Sequence, residues 1–202
     1  GGDLEHLVRN HGPLSERATW ESIRQAAFAL EYAHQSGIIH RDIKPANLLL
    51  DRRYDPHDSD RIPNVKIADF GLAFLQEEDT AKTRLTSENA AVGSPQYMAP
   101  EQLEGGDVDF RADIYALGAS AWHLLLGEPP FSGKNLMQIV TAKVAGDLPD
   151  PRQLRPDLSD TSLQLLQQML SLQKENRHDT YAQLIRQLQN LSLPSTGDSI
   201  PV

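Results

Sequence analysis

Asp42, Lys44 and Asn47 lie within the run His40-Arg41-Asp42-Ile43-Lys44-Pro45-Ala46-Asn47, and 27 positions after Asp42 comes Asp69, opening Asp69-Phe70-Gly71. Together these groups suit work on a phosphate. A carboxylate can take a hydroxyl proton and orient the oxygen it leaves, and an ammonium two residues on can meet a terminal phosphate. A carboxamide oxygen and a second carboxylate are the hard donors that magnesium prefers while it keeps waters and phosphate oxygens. Singly, each residue has a plain reading: Asp-x-Lys is usually a surface pair and Asp-Phe-Gly usually a turn. In this order, and followed by Ala99-Pro100-Glu101, they read as one set from two loops that converge on a metal-phosphate cluster.

Such loops need rigid elements behind them. Ser15 can cap a helix whose positions Trp20, Ile23, Ala27, Leu30 and His34 fall at helical spacing, with Gly37 as a left-handed terminator. That helix delivers the chain to Ile38-Ile39-His40. Leu48 to Leu50 and Val65 to Ala68 read as a small pair of strands, which puts the reactive residues at strand ends. Between them Asp51 to Asn64 has little to bury and reads as an exposed insertion. Leu72 to Pro95 shows no sustained periodicity, holds Thr80, Thr83, Thr86, Ser87 and Ser94, and reads as a mobile segment. Downstream, helices are expected at Pro100 to Glu104, Ala112 to Leu126, Asn135 to Val144, Thr161 to Leu172 and Tyr181 to Leu191.

The three motifs in this order resemble the eukaryotic-like, or Hanks-type, protein kinase family, and Lys44 two places after Asp42 points to its serine/threonine branch. The resemblance runs from Gly1 to about Leu191 and covers only the larger, C-terminal lobe. It implies a mainly α fold with a small β-hairpin at the cleft, ATP and Mg2+ as cofactors, and protein Ser/Thr hydroxyls as substrate. On the matching positions, Asp42 and Lys44 become catalytic. Lys44, Ala46, Asn47, Leu49 and Asp69 become nucleotide-binding, with Leu49 as the floor beneath adenine, and Asn47 and Asp69 become the metal ligands. Arg41 is the residue that meets a phosphate on the activation segment, Phe70 and His40 belong to a stacked hydrophobic spine, and Glu101 pairs with Arg177. Asp113 matches a central-helix aspartate that anchors the catalytic loop, although from its local sequence a helix-capping Asp is an equal reading. Gly93-Ser94-Pro95-Gln96-Tyr97 is similar to the substrate-side loop, with Ser94 where the family usually has Thr and with a hydroxyl that can bond Asp42 and Lys44. Ile43 replaces the commoner Leu at similar volume. The Ala99-Pro100-Glu101-Gln102 run is similar to bacterial members.

Composition is ordinary for a globular domain: 202 residues, 39% hydrophobic, 23% charged. A net charge of -9 disfavours nucleic acid. The absence of cysteine excludes disulfides and thiolate zinc sites. The seven histidines show no metal-ligand spacing; His57 and His178 read as solvated, and His123, within the apolar run Ile114 to Gly127, as a core or interface residue. That run is shorter than the roughly 20 residues a bilayer core requires and reads as a buried helix. No leader is evident, so the expected site is the cytoplasm, the parent of such a fragment often carrying a membrane anchor elsewhere. The expected organisation is a kinase lobe over 1–191 with a linker stub at 192–202, the N-terminal lobe absent. No Gly-x-Gly-x-x-Gly occurs, and Thr141-Ala142-Lys143, which superficially matches the ATP-orienting lysine motif, lies too late in the chain to serve as one. Two classes remain: a serine/threonine kinase lobe in phosphorylation signalling, favoured by the intact Asp42 and Asp69, and a non-catalytic interaction module. Acidic Asp107, Asp109 and Glu128 could select basic peptides or be merely a solvated face.

Overall fold

The computed structural model describes residues 2–51, 63–70, 74–75, 94–133 and 135–191. Residues 52–62 of the expected insertion, most of the mobile segment with Thr80, Thr83, Thr86 and Ser87, and the tail 192–202 lie outside the described residues. The architecture is mainly helical, with two small two-stranded antiparallel sheets.

Helix α1, Leu4–His11, was not expected from the sequence. It is capped by Asp3, whose carboxylate accepts from the His6 N–H at 2.7 Å, and it buries Leu4, Leu7 and Val8. Three apolar positions in eight residues are too few for periodicity to announce a helix. Helix α2, Glu16–Gln35, starts where Ser15 accepts from the Ala18 N–H at 3.2 Å. It ends where Gly37, at φ 73°, returns its N–H to the His34 carbonyl. Its buried positions Trp20, Ile23, Ala27 and Leu30 face helices introduced below.

Strand β1, Ile38–Ile39, pairs with β4, Phe74–Leu75, an arrangement the sequence did not suggest. Two-residue strands carry no alternation to read. Strand β2, Leu48–Leu50, pairs with β3, Val65–Ile67, in the register Leu48 to Ile67 and Leu50 to Val65. Residues 2–3 extend this sheet, since the Leu50 N–H donates to the Gly2 carbonyl and Asp3 bridges Leu49. The expected insertion is closed at its neck, where the Asp51 N–H donates to the Asn64 carbonyl at 2.9 Å.

The remaining helices are α3, Pro100–Glu104; α4, Arg111–Leu126; α5, Leu136–Ala145; α6, Asp160–Met169; and α7, Tyr181–Gln189. The last two end two or three residues before the sequence suggested. In α4 every residue from Ala112 to Leu125 is buried, as a helix apolar all round must be. Helix α2 packs on α4 and α7, and α4 on α6. The α4–α6 approach is set by Gly118, where an added Cβ would stand 2.7 Å from the Met169 Cβ. A polar tie joins α2 to α6: Ser159 and Ser162 donate to the buried Glu16 carboxylate, and the Trp20 indole N–H donates to the Ser162 hydroxyl at 2.6 Å. No helix among the described residues is long and apolar enough to cross a membrane.

Candidate active site

The loop after β1 has no regular structure before the 3-10 turn at Pro45–Asn47 and is held from below. Asp113, in the first turn of α4, is 1% exposed; its two carboxylate oxygens accept from the His40 N–H at 2.9 Å and the Arg41 N–H at 2.8 Å. Helix capping is therefore not its work: the residue at the N-cap is Phe110. Burial pushes the Asp113 carboxyl above the usual carboxylate range, and the two backbone donors oppose that push. Arg41 is forced to φ 66°, which costs about 1–3 kcal/mol in a residue with a Cβ. Its Nε is buried with no hydrogen-bond partner among the described residues.

With the backbone fixed, the side chains gather. The Lys44 ammonium donates to Asp42 Oδ2 at 2.9 Å. Asn47 ends the 3-10 turn Pro45–Asn47, and its Nδ2 donates to the Asp42 carbonyl at 2.8 Å and to Asp42 Oδ2 at 3.2 Å. Because the amide nitrogen faces Asp42, the Asn47 carboxamide oxygen is left as an acceptor. Ile43 is buried beneath the loop and Ala46 is partly buried within it.

The second loop is stitched to the first. The Ala68 N–H donates to the Asn47 carbonyl at 2.9 Å, and the Ala68 carbonyl meets His40 Nε2 at 3.0 Å. Since the Asp42 N–H donates to His40 Nδ1 at 3.3 Å, Nδ1 is the ring's acceptor and Nε2 is the donor to the Ala68 carbonyl. His40 is fully buried and meets the Phe70 ring edge-on at 4.8 Å. Asp69 follows in the left-handed region, φ 59°, exposed, with no hydrogen bond or ion pair among the described contacts. An acceptor oxygen on Asn47 and a free carboxylate on Asp69, on loops sharing a backbone hydrogen bond, fit a magnesium ion that takes its other ligands from water and phosphate. Leu49 is 40% exposed, an open apolar surface beside this cluster.

The residues expected at one site are thus brought onto two joined loops. Ser94 is the exception. Among the described hydrogen bonds its hydroxyl reaches neither Asp42 nor Lys44, and its carbonyl accepts from the Tyr97 N–H. The loop that follows is fastened at four places. Lys143 donates to the carbonyls of Pro95, Gln96 and Met98. The Tyr97 hydroxyl and His123 Nδ1 share a 2.6 Å hydrogen bond. The Gln102 side chain accepts from the Ala99 N–H and donates to the Arg41 carbonyl, which joins this loop to the first. The Arg177 guanidinium meets both Glu101 oxygens, at 2.7 and 2.9 Å, from full burial.

Sequence reading missed Gln102 and Lys143. Gln102 carries a weak signal, standing at the third helical position after Ala99, where a side chain can reach back to the cap N–H. Lys143 carries a better one: it lies four residues after Ile139, on the face that α5 buries. His178, expected in solvent, is fully buried and bonds Gln187 Oε1 at 2.7 Å. Two of the acidic candidates are also already paired. Burial pushes the Asp109 carboxyl up, but the Arg111 guanidinium, with Lys174, outweighs it and leaves the group below its ordinary value. Asp107 bonds Lys174. Glu128 instead lines a cleft of about 530 Å³ together with Glu5, Arg9 and His123.

The family model described as the protein kinase domain matches residues 1–188. The chain belongs to the protein kinase family. Among its relatives is the serine/threonine-protein kinase PknB of Mycobacterium leprae, 34% identical over 184 residues, covering 91% of this chain and 28% of that protein. The DNA damage-responsive serine/threonine-protein kinase RqkA of Deinococcus radiodurans is 38% identical over 173 residues, 86% of this chain and 24% of that protein. The serine/threonine-protein kinase pkn3 of Myxococcus xanthus is 34% identical over 157 residues, 78% of this chain and 28% of that protein. The chain spans about a quarter of the length of these bacterial kinases. The mainly helical body with its small sheets is that of a protein kinase's larger lobe.

Proposed function

We propose that this chain is the catalytic lobe of a serine/threonine protein kinase that transfers the ATP γ-phosphate to a protein hydroxyl. The observation that carries the reading is the Asp42–Lys44–Asn47 cluster joined through the Asn47–Ala68 backbone bond to Asp69. Asp42 orients the acceptor hydroxyl and takes its proton as the oxygen–phosphorus bond forms and the bond to the ADP oxygen breaks. Lys44 balances charge on the transferring phosphoryl oxygens. Asn47 and Asp69 would hold Mg2+, which when bound offsets the charge of the phosphates. Asn47 also donates to Asp42 Oδ2, so the same side chain fixes the base and offers the metal an oxygen.

Leu49 provides one apolar wall for adenine, and the sequence holds no glycine-rich phosphate cover. The 202-residue chain by itself is therefore expected to transfer phosphate negligibly. The test compares magnesium-ATP phosphotransfer by this chain with that of a version extended upstream through a nucleotide-covering lobe, with Asp42→Asn as the control. Activity confined to the extended, Asp42-containing form supports the reading. Inactivity in both, with no ATP binding, favours a non-catalytic interaction module.

A further inference from the structure

Among the described residues Lys143 is a buried cation with no carboxylate in ion-pair contact. It is 0% exposed, among the largest fully buried side chains, and it takes part in none of the described ion pairs. Its ammonium makes three hydrogen bonds, to the carbonyls of Pro95 at 2.9 Å, Gln96 at 3.1 Å and Met98 at 2.6 Å. The Tyr115 and Phe131 rings lie 5.2 and 5.3 Å away and offer their faces to the charge. On the same Tyr115 ring the Arg177 guanidinium carbon stands at 4.9 Å. One aromatic side chain of α4 is thus in contact with both cations that secure the segment, Lys143 on its carbonyls and Arg177 on Glu101.

An ammonium has three N–H donors and no acceptor, and three carbonyls converge on it; a neutral amine has only two to give. Those carbonyls belong to the short segment that stands between Ser94 and the start of α3, the region that meets the acceptor peptide in the kinase reading. Lys143 comes to them from α5, a helix that contributes nothing to the Asp42 cluster. We infer that Lys143 is a positioning residue for the substrate-side loop, its ammonium holding the Pro95, Gln96 and Met98 carbonyls in the shape that receives the acceptor peptide and coupling that shape to α5. Calling the loop substrate-side rests on the kinase reading; the clamp itself does not.

The charge on this clamp is not guaranteed at neutral pH. Burial pushes the Lys143 ammonium down to about 7, opposed only by Glu101 of α3. Among the described residues the other titratable group facing it is Tyr115 of α4, whose own burial keeps it neutral and whose ring also meets the Arg177 guanidinium. Loss of the proton removes one donor from three acceptors, so the loop is held most firmly below neutrality.

The test has two arms. In the 13C-labelled full chain, the carbonyl shifts of Pro95, Gln96 and Met98 should titrate together between about pH 6 and about pH 9. They should be flat in Lys143→Met, with Tyr97 and Met98 amide exchange at least about tenfold faster and α2 amides unchanged. In the form that phosphorylates a peptide, Lys143→Met should raise the peptide KM about tenfold and leave the ATP KM within about twofold, with Lys143→Arg recovering part of the loss. Wild-type carbonyl shifts that match those of Lys143→Met at every pH, or a peptide KM that stays fixed or moves in step with the ATP KM, would overturn the assignment. If Lys143→Met does not fold, Lys143→Gln is read in the same two arms. Absence of all phosphotransfer would count against the kinase reading, and the carbonyl arm would still judge the clamp.

Discussion

The loop at residues 40–47 and the loop at residues 94–101 are both irregular backbone pinned by buried charge, but they use charge in opposite ways. In the first, Asp113 holds backbone N–H groups from below, while the loop's own Asp42 and Lys44 stay partly exposed and, among the described residues, pair only with each other and Asn47. In the second, Lys143 and Arg177 are fully buried and spend every donor on carbonyls and on Glu101. Exposed charge keeps its hydration and can be turned to a ligand; buried charge must be matched by fixed partners and becomes architecture. One loop is built to react and the other to keep its shape.

That contrast can be broken most severely at Asp42. Asp42→Asn should lower phosphotransfer by roughly 10²–10⁴-fold in the extended protein while the thermal midpoint stays within error. A comparable loss of stability would mean that Asp42 is architecture too. Asp113→Ala should do both kinds of damage, since it orphans two buried N–H groups: about 4 kcal/mol in urea unfolding, together with loss of activity. Arg177→Lys keeps the charge but loses the two-pronged contact with Glu101, and about 2 kcal/mol of stability should go with it, with the ATP KM unmoved. Gly118→Ala, away from both loops, should cost about 1–2 kcal/mol through the contact with Met169 and leave the kinetic constants alone.

The last effect is read across pH. Burial holds the imidazoles of His123 and His178 below their ordinary value, so below about 6.5 the unfolded chain binds protons that the folded chain refuses. Stability present above that value should be lost as pH falls through the depressed folded values. Lys143 contributes the same sign on the alkaline side. Its proton leaves the folded chain near 7 and the unfolded chain near 10.5, so the global midpoint should rise over that window even as the clamp weakens. Calorimetric scans across pH, compared with Lys143→Met, separate the two contributions.

The motifs made the reactive set legible because that chemistry depends on residue types at short spacing: Asp42, Lys44 and Asn47 are neighbours in sequence, and Asp69 follows one strand pair later. Helices α2 and α4 were legible for a similar reason, since a long apolar stripe and a continuous apolar run each leave a local record. Helix α1 and the β1–β4 pair were too short to leave one. Asp113 could not be assigned from its neighbours because capping and anchoring call for the same side chain; burial against His40 and Arg41 decided between them.

By itself, then, the sequence determined the chemical vocabulary, the order of the loops and the main helices, because these follow from local spacing and hydropathy. Tertiary structure alone decided which charges are free and which are bound. It placed His178 in the interior, paired Asp107 and Asp109 with Arg111 and Lys174, and turned Lys143 from a lysine on a helix into the pin of a loop 45–48 residues away. Hydrogen bonds over such separations are set by the packing of whole helices, and no local pattern encodes which carbonyls a buried ammonium will find.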